Sequence, residues 1–175
     1  DTLSLSNSSA VFANKNVGTG KTVSVAGINV TGADAGNYTF NTAASTTAAI
    51  TAKALSLSGV TASNKVYDGN TTASISGGTL NGAMGGDTVS FSLGSATFAT
   101  KNVGTGKSVT ATGTSLSGTD ASNYSITDPS SLSADVTAKA LTVSATGINK
   151  VYDAATTASV TLSDDRVSGD TLSLS

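Results

Sequence analysis

The feature that most constrains this chain is a sequence repeat of about 86 residues. The segment Asn64–Asp68 returns unchanged at Asn149–Asp153, 85 residues later. Two more segments recur with a spacing of 86 residues, Lys15–Lys21 at Lys101–Lys107 and Asp34–Tyr38 at Asp120–Tyr124. A period of this length corresponds to one small domain per repeat, not to one coil of a solenoid. We therefore predict the C-terminal part of a first repeat (1–53), a complete repeat (54–139) and the N-terminal part of a third repeat (140–175).

The two ends of the chain stand at the same phase of this repeat. Residues 1–6 and residues 170–175 have identical sequences. We expect both ends to lie inside a longer array. The alternative is that the incomplete end pieces of neighbouring copies complete each other head to tail.

The composition favours β-structure throughout. Ser and Thr make up about a third of the residues, Gly contributes 19, and Glu is absent. The complete repeat carries about eight short apolar runs separated by turn residues, which is typical of a two-sheet sandwich. The link at Ala52–Ala54 has none of the Gly and Pro residues of flexible linkers. We predict an all-β fold, namely tandem immunoglobulin-like β-sandwiches of Greek-key type in a semi-rigid array.

Tyr38 and Tyr124 carry the most specific fold signal. Each follows an aspartate by four positions and opens a β run. The same arrangement forms the tyrosine corner of immunoglobulin-like sandwiches, in which the phenol bonds to nearby backbone. A surface turn followed by a core tyrosine would give the same pattern. The predicted core residues are Leu57, Tyr67, Phe91, Phe98, Tyr124 and Ile126.

Charge and cysteine content limit the classes of partner. The net charge is −2 and no basic run is present, so we expect no nucleic-acid partner. No apolar run approaches the roughly 18 residues that a membrane span needs, so we expect no membrane insertion. The chain has no cysteine. Small extracellular domains usually use disulfides, but large bacterial surface proteins that cross a periplasm commonly avoid cysteine.

No motif predicts an enzyme or a cofactor. Gly18–Lys21 and Gly104–Lys107 resemble part of a phosphate-binding loop, but lysine stands where the first glycine of that loop is required. Without His or Cys, no nucleophile and base form a recognisable pair. An amide crosslink from Lys65 or Lys150 to an asparagine is conceivable, although a solvated lysine beside the core is the simpler interpretation.

Calcium is the one metal that the residue types permit. Oxygen donors stand near predicted strand ends, the main candidates being Asp34, Asn37, Asp120 and Asn123. A calcium ion needs six to eight oxygen ligands, and no dense acidic cluster supplies them. Aspartates at turns are also explained by capping of backbone N–H groups. We therefore predict no resident metal, with these four residues as the weaker alternative.

The segment Lys65–Ala73, together with Gly86–Val89 and Asn123–Tyr124, resembles the YDG repeat and the related MBG domains of very large bacterial surface proteins. These proteins include filamentous-haemagglutinin-like adhesins exported by two-partner secretion. The resemblance covers essentially the whole chain and implies structural roles for the repeated motif residues Tyr67, Asp68, Tyr152 and Asp153. The chain departs from the family pattern at Ala154, where alanine replaces glycine, which puts a positive-φ turn there in question.

The resemblance implies a non-catalytic stalk or filament segment of an adhesin or biofilm-matrix protein, located outside the cell or on a bacterial surface. The expected partners are neighbouring repeats or copies of the chain. One alternative is a module of the same adhesin that binds extracellular polysaccharide or a host surface. Another is a self-assembling fibre subunit whose incomplete ends pair between molecules.

Overall fold

A computed structural model describes residues 2–173, and this part of the chain is all-β, with several sheets consistent with a β-sandwich. It contains no α-helix, only two 3-10 turns at Ala35–Asn37 and Ala121–Asn123. The first strands are β1 (Ser4–Ser6), β2 (Ser9–Phe12), β3 (Gly18–Ala26), β4 (Asn29–Thr31), β5 (Ala43–Ile50) and β6 (Lys53–Ala62). Those that follow are β7 (Lys65–Val66), β8 (Thr72–Ala73), β9 (Ile75–Asn81), β10 (Ser90–Ser92), β11 (Ser95–Phe98) and β12 (Gly104–Thr112). The last are β13 (Ser115–Ser117), β14 (Tyr124–Ile126), β15 (Leu132–Thr137), β16 (Val143–Ile148) and β17 (Ser159–Asp164).

The chain forms two compact units that divide the complete repeat between them. The first contains the chain up to Ser56 with Leu80–Phe91 and Leu116–Thr127, and the second contains Leu57–Thr79, Ser92–Ser115 and the chain from Asp128 onward. The units therefore do not follow the sequence period. The domain limits 1–53, 54–139 and 140–175 stay a prediction.

The first unit contains an antiparallel sheet in the order β2-β3-β5 and the pair β1-β4. The second contains a five-stranded sheet in the order β7-β15-β12-β11-β8 and the pair β16-β17. Only the β7-β15 pairing of the five-stranded sheet is parallel. The small sheets β10-β13 and β14-β6-β9 include strands whose residues are shared between the units.

The core of the second unit lies on one face of its five-stranded sheet. Alternation places every second side chain of β11, β12 and β15 on that face, and the buried cluster consists of Ala73, Ala96, Phe98, Val109, Ala134 and Val136. Tyr67 and Ile75 pack against it half-buried. Of the six predicted core residues, Phe98 and Tyr124 are buried, and Leu57, Tyr67, Phe91 and Ile126 are only partly buried. The other buried apolar residues are Leu55, Val109, Val136 and four alanines. The alanines were missed because their apolar signal in a Ser- and Thr-rich chain is weak.

The Gly-Thr-Gly-Lys segments form bulges at the start of β3 and β12. The strand register shifts between Gly18 and Lys21 and again between Gly104 and Lys107. The second glycine of each segment, Gly20 or Gly106, has φ of 61° or 57° respectively. Glycine adopts this left-handed conformation readily, and bulges often require it. Each lysine returns to the turn before its strand, for example from Lys107 Nζ to Thr100 Oγ1 at 2.6 Å. These segments lead into strands, not into the helix that follows a phosphate-binding loop.

The turn at Ala154 repeats the turn at Gly69 in spite of the alanine. Ala154 has φ of 58° and Gly69 has φ of 81°. The neighbouring aspartate holds the alanine in this conformation, because Asp153 Oδ1 accepts the N–H of Ala155 at 3.0 Å and the Lys150 ammonium at 2.8 Å. The doubt raised by the missing glycine was therefore misplaced, since an aspartate turn compensates for the backbone cost.

Candidate functional site

Two turns with the same geometry place an aspartate where one repeat meets the next. Asp87 N donates to the Met84 carbonyl and Asp170 N donates to the Val167 carbonyl, both at 3.1 Å. The glycines just before the aspartates, Gly86 and Gly169, have φ of 92° and 91°. This is the conformation that a type II turn requires at its third position. The sequence Gly-Asp-Thr thus fixes the direction of both carboxylates.

At the first junction, Asp87 binds a lysine from the preceding repeat. Lys15 lies in the turn between β2 and β3, and its Nζ is 3.0 Å from Asp87 Oδ1 and 3.4 Å from Asp120 Oδ1. Asp87 Oδ2 accepts the phenol proton of Tyr124 at 2.6 Å, and that phenol oxygen in turn accepts Met84 N–H at 3.0 Å. One carboxylate therefore connects the two repeats. All of these groups lie in the first compact unit.

At the second junction, Asp170 receives the same kind of lysine. Lys101 is equivalent to Lys15 in the repeat, and its Nζ is 3.4 Å from Asp170 Oδ1. The same oxygen accepts the phenol proton of Tyr67 at 2.8 Å. The ammonium group also lies 5.9 Å from the centre of the Tyr67 ring, within the range of a cation–π contact. These groups all lie in the second compact unit.

Each junction lysine is more exposed than its aspartate. The Lys15 side chain is 71% exposed and that of Asp87 is 14% exposed. An exposed ion pair contributes little to folding free energy, because water screens it and the lysine loses rotamer freedom. The phenol bonds and the turns position the aspartates independently of the lysines. The geometry therefore favours orientation of neighbouring repeats over a large gain in stability.

The hydrogen bonds lower the pKa of both junction aspartates. For Asp87 the main cause is the bond from Tyr124, followed by the bond from Lys15. For Asp170 it is the bond from Tyr67, opposed by partial burial and supported by Lys101. The hydrogen bond between Tyr124 and Asp87 also raises the pKa of the Tyr124 phenol. Both carboxylates are therefore ionised at neutral pH.

This direction of shift predicts acid sensitivity. A carboxyl group whose pKa is lower in the folded state contributes stability above its unfolded pKa of about 3.9, and this contribution is lost as pH falls through the folded pKa. We expect the melting temperature to fall steeply below about pH 4, with a smaller fall when Asp87 and Asp170 are both replaced by Asn. Thermal unfolding from neutral to acid pH measures this. Equal slopes for both proteins would contradict it.

The predicted calcium donors are used as turn and junction groups. Asp34 Oδ2 accepts Thr2 N–H and Asp120 Oδ2 accepts Thr88 N–H, both at 2.9 Å. Asn123 Oδ1 accepts Val17 N–H from the preceding repeat at 2.9 Å. Asn37 ends a 3-10 turn, and its backbone N–H binds the Asp34 carbonyl at 3.0 Å. Within residues 2–173, no group of three or more acidic residues is placed to hold a metal ion.

The predicted structural residues occupy two kinds of environment. Tyr124 is buried and Tyr67 is half-buried, whereas Tyr38 is 46% exposed and Tyr152 is 90% exposed. The Tyr124 phenol binds Asp87 and the backbone of Met84, so its partner lies 37 to 40 residues upstream and not in the nearby backbone of a tyrosine corner. The acid–tyrosine spacing in the sequence instead reflects the turn that Asp120 closes.

Asp68 and Asp153 hold the lysine of their own loops. Asp68 Oδ1 accepts Asn70 N–H at 3.1 Å and the Lys65 ammonium at 2.7 Å. Lys65 Nζ also contacts three further oxygens, the Asn70 carbonyl, Asn70 Oδ1 and the Thr72 carbonyl. The lysine is thus bound as a cation that organises the loop. Its Nζ lies 5.8 Å from the centre of the Phe98 ring. This arrangement explains Lys65 without a crosslink to Asn70.

The sequence profile of the YDG domain matches residues 1–48 and 51–131. The chain belongs to the YDG domain family. In this YDG chain the motif tyrosine Tyr67 binds the Gly-Asp turn of the second junction, and Tyr124 binds that of the first. No curated protein and no solved structure matches the chain. No helix in residues 2–173 is long and apolar enough to cross a membrane.

Sequence reasoning missed four of the residues that form the junctions, namely Lys15, Lys101, Asp87 and Asp170. Lys15 and Asp87 are 72 residues apart in sequence, so only the fold brings them together. A signal was nevertheless present. Both lysines open the recurrent Lys-Asn-Val-Gly segment, and both aspartates stand in a recurrent Gly-Asp-Thr segment.

Proposed function

We propose that this YDG chain is a structural stalk or filament segment of a secreted or surface-attached bacterial adhesin or biofilm-matrix protein, built from tandem immunoglobulin-like sandwiches. It acts by spacing and orienting whatever the parent protein carries, without catalysis. The observation that carries the proposal is the recurrence of the lysine–aspartate contact at both junctions, between Lys15 and Asp87 and between Lys101 and Asp170. A chain in which each repeat binds the next in the same way suits a semi-rigid array.

The connection between repeats supports the same function. Strand β5 ends at Ile50 and β6 begins at Lys53, so only two residues separate them. Such a short link restricts the angles that the flanking strands can adopt, whereas a flexible linker would be longer and rich in Gly and Ser. The Asn123 bond to Val17 adds a second polar contact beside the lysine. The short covalent connection and the polar contacts of Lys15 and Asn123 therefore both restrain the first junction.

The proposal predicts that Lys15→Met loosens the first junction while leaving folding nearly unchanged. The variant keeps the aliphatic stem but removes the charge that binds Asp87 and Asp120. Because the chain has no cysteine, spin labels can be attached at Thr46→Cys and Ser122→Cys, two exposed sites in the first unit. Double electron–electron resonance should give a narrow distance distribution between the two labels for the unchanged junction and a clearly broader one for Lys15→Met.

The matched control is Lys21→Met in the same turn region. Lys21 bonds to Asn14 and to the Asn16 carbonyl of its own repeat, so its loss should leave the distance distribution narrow. Equal widths for the unchanged protein and Lys15→Met would refute the proposed role of the lysine in stiffening. A broad distribution in the unchanged protein would refute the semi-rigid array itself.

A carbohydrate-binding module is the second proposal, and the exposed rings of Tyr152 and Tyr38 favour it. Sugar sites commonly stack their ligands on exposed aromatic rings. Against it, the residue equivalent to Tyr38 in the complete repeat, Tyr124, is buried. Titration of the chain with bacterial and host oligosaccharides, followed by tyrosine fluorescence, tests this function. Saturable binding that is lost in Tyr152→Ala would support it.

A further inference from the structure

Two parallel strand pairs join the early and the late part of the complete repeat. Strand β6 begins two residues after β5 ends, and its residues Lys53–Leu55 pair in parallel with β14. Strand β7 pairs in parallel with β15, from which the chain continues towards β16. Both strands of a parallel pair point the same way. Tension along the chain therefore pulls β6 and β7 towards their N-terminal ends, and pulls β14 and β15 towards their C-terminal ends.

Opposed pulls along a strand pair load its hydrogen bonds in shear. All the bonds of the pair then stretch together, and the strands separate only when several bonds break in one step. A pull across the pair instead breaks the bonds one after another. Forced unfolding is governed by the rate of crossing the unfolding barrier. The direction of loading therefore matters more than the modest net contribution of each hydrogen bond to equilibrium stability.

Hydrogen bonds at both ends extend the β7–β15 pair beyond the two residues of β7. Before β7, Asp135 N donates to Asn64 Oδ1 at 2.7 Å, and after β7, Tyr67 N donates to the Thr137 carbonyl at 2.8 Å. The Thr137 hydroxyl also donates to the Lys65 carbonyl at 3.4 Å. The bonded segment therefore covers four consecutive residues, which are the first four of the motif that the sequence repeats.

Both parallel pairs carry buried side chains. In the β7–β15 pair, Val136 is 1% exposed and Tyr67 packs half-buried against the core. In the β6–β14 pair, Leu55 is 4% exposed and Tyr124 is 8% exposed. A hydrogen bond among buried side chains is electrostatically stronger than one in water, and water has little access to replace it while it stretches. Burial and loading direction therefore act together in both pairs.

We propose that the β6–β14 and β7–β15 pairs are mechanical clamps, which let the chain bear tension along its length. This load-bearing function goes beyond the spacing and orienting function proposed above. It rests on strand pairs within the complete repeat and not on the junction lysines, so either proposal can fail without the other. The paired residues of β6 and β14 lie in the first compact unit, and β7 and β15 lie in the second. Each clamp can therefore be tested within one unit.

Single-molecule force spectroscopy on the full chain tests the β7–β15 clamp. Because the chain has no cysteine, DNA handles can be attached at chosen exposed positions. Ser63→Cys with Ala140→Cys pulls β7 and β15 in opposite directions along the pair. Ser63→Cys with Ser133→Cys pulls them apart across the pair, since the register places residue 133 beside residue 62. We expect a clearly higher unfolding force for the first handle pair at the same loading rate.

The β6–β14 clamp is tested with Thr51→Cys as the shared handle site. Thr51→Cys with Thr127→Cys loads the pair along its strands, whereas Thr51→Cys with Ser122→Cys loads it across them, because Tyr124 pairs with Lys53. The first combination should again require the higher force. Equal melting temperatures of the four double variants would show that the handle sites do not disturb folding. Equal forces along and across either pair would overturn its function as a clamp.

Asn64→Ala tests the clamp by removing one of its bonds. The variant lacks the acceptor of the Asp135 N–H and should lower the force measured along the β7–β15 pair. Asn102→Ala is the matched control at an exposed asparagine outside both pairs, and it should leave this force unchanged. An unchanged force in Asn64→Ala would overturn the extension of the clamp through the motif.

The force measurements and the label distances at the first junction separate the two proposals. A broad label distance with a higher force along the strand pairs would refute the semi-rigid array and support the clamps. A narrow label distance with equal forces in both directions would refute the clamps and leave the array intact.

Discussion

Phe98→Ala is expected to destabilise the second compact unit by about 3 to 5 kcal/mol, the usual cost of removing a buried aromatic side chain. Phe98 is 3% exposed and packs in the cluster formed by β8, β11, β12 and β15. Its ring also lies below the Lys65 ammonium, so a cation–π contact is lost together with the packing. Chemical denaturation followed by circular dichroism measures the loss.

The control for this substitution is supplied by the repeat itself. Phe12 is the equivalent residue in the first piece and is 39% exposed. Phe12→Ala should therefore cost much less, about 1 kcal/mol. A similar loss for both substitutions would contradict the assignment of Phe98 to a closed core and of Phe12 to a partly exposed position.

Gly118→Ala is expected to cost about 3 kcal/mol or more, because both the backbone and the available space reject a side chain. Gly118 has φ of 113°, and a Cβ atom there would lie 2.3 Å from the Thr88 carbonyl oxygen. This close approach brings the Thr88 N–H to Asp120. Loss of the glycine therefore also disturbs the loop that carries the second carboxylate bound by Lys15.

Gly106→Ala is the matched substitution at a site without crowding. Gly106 has φ of 57°, and no heavy atom lies within 4 Å of the position of its Cβ. Only the cost of a left-handed conformation applies, about 1 kcal/mol. Thermal unfolding of both variants separates the two contributions. If Gly118→Ala were no worse than Gly106→Ala, close packing of the Thr88 backbone against Gly118 would be excluded.

The sequence period predicted more of the molecule than the residue types did. The repeat indicates which local structures are equivalent, because residues recur at a fixed spacing. Phe98 is equivalent to Phe12, and Gly118 is equivalent to Gly32. Gly118 and Gly32 both have positive φ, and each approaches the backbone of an equivalent threonine, Thr88 and Thr2 respectively. Strand content and turn positions follow from the same local patterns. Sheet order does not, since the β7-β15 pairing joins residues about 70 positions apart.

The aspartates illustrate why a functional assignment from sequence remained open. Asp34 and Asp120 have the residue type and turn context of a calcium ligand, yet in the structure each accepts a backbone N–H of a threonine. Asp87 appeared only as part of a family motif and Asp170 only in the repeated end segment 170–175, although they form the junctions. An oxygen at a turn can bind a metal, a backbone amide or a neighbouring repeat. The choice depends on which distant segment the fold places beside it.

The Gly-Asp-Thr turn has a consequence for how such arrays change length. Lys15 and Lys101 are equivalent, as are Asp87 and Asp170, so any lysine turn fits any aspartate turn that follows it. Deleting one whole period would place the Lys15 turn opposite the Asp170 turn, which again pairs a lysine with an aspartate. Under the proposed stalk function, recombination between repeats would change the array in whole units and keep this lysine–aspartate contact at the new boundary.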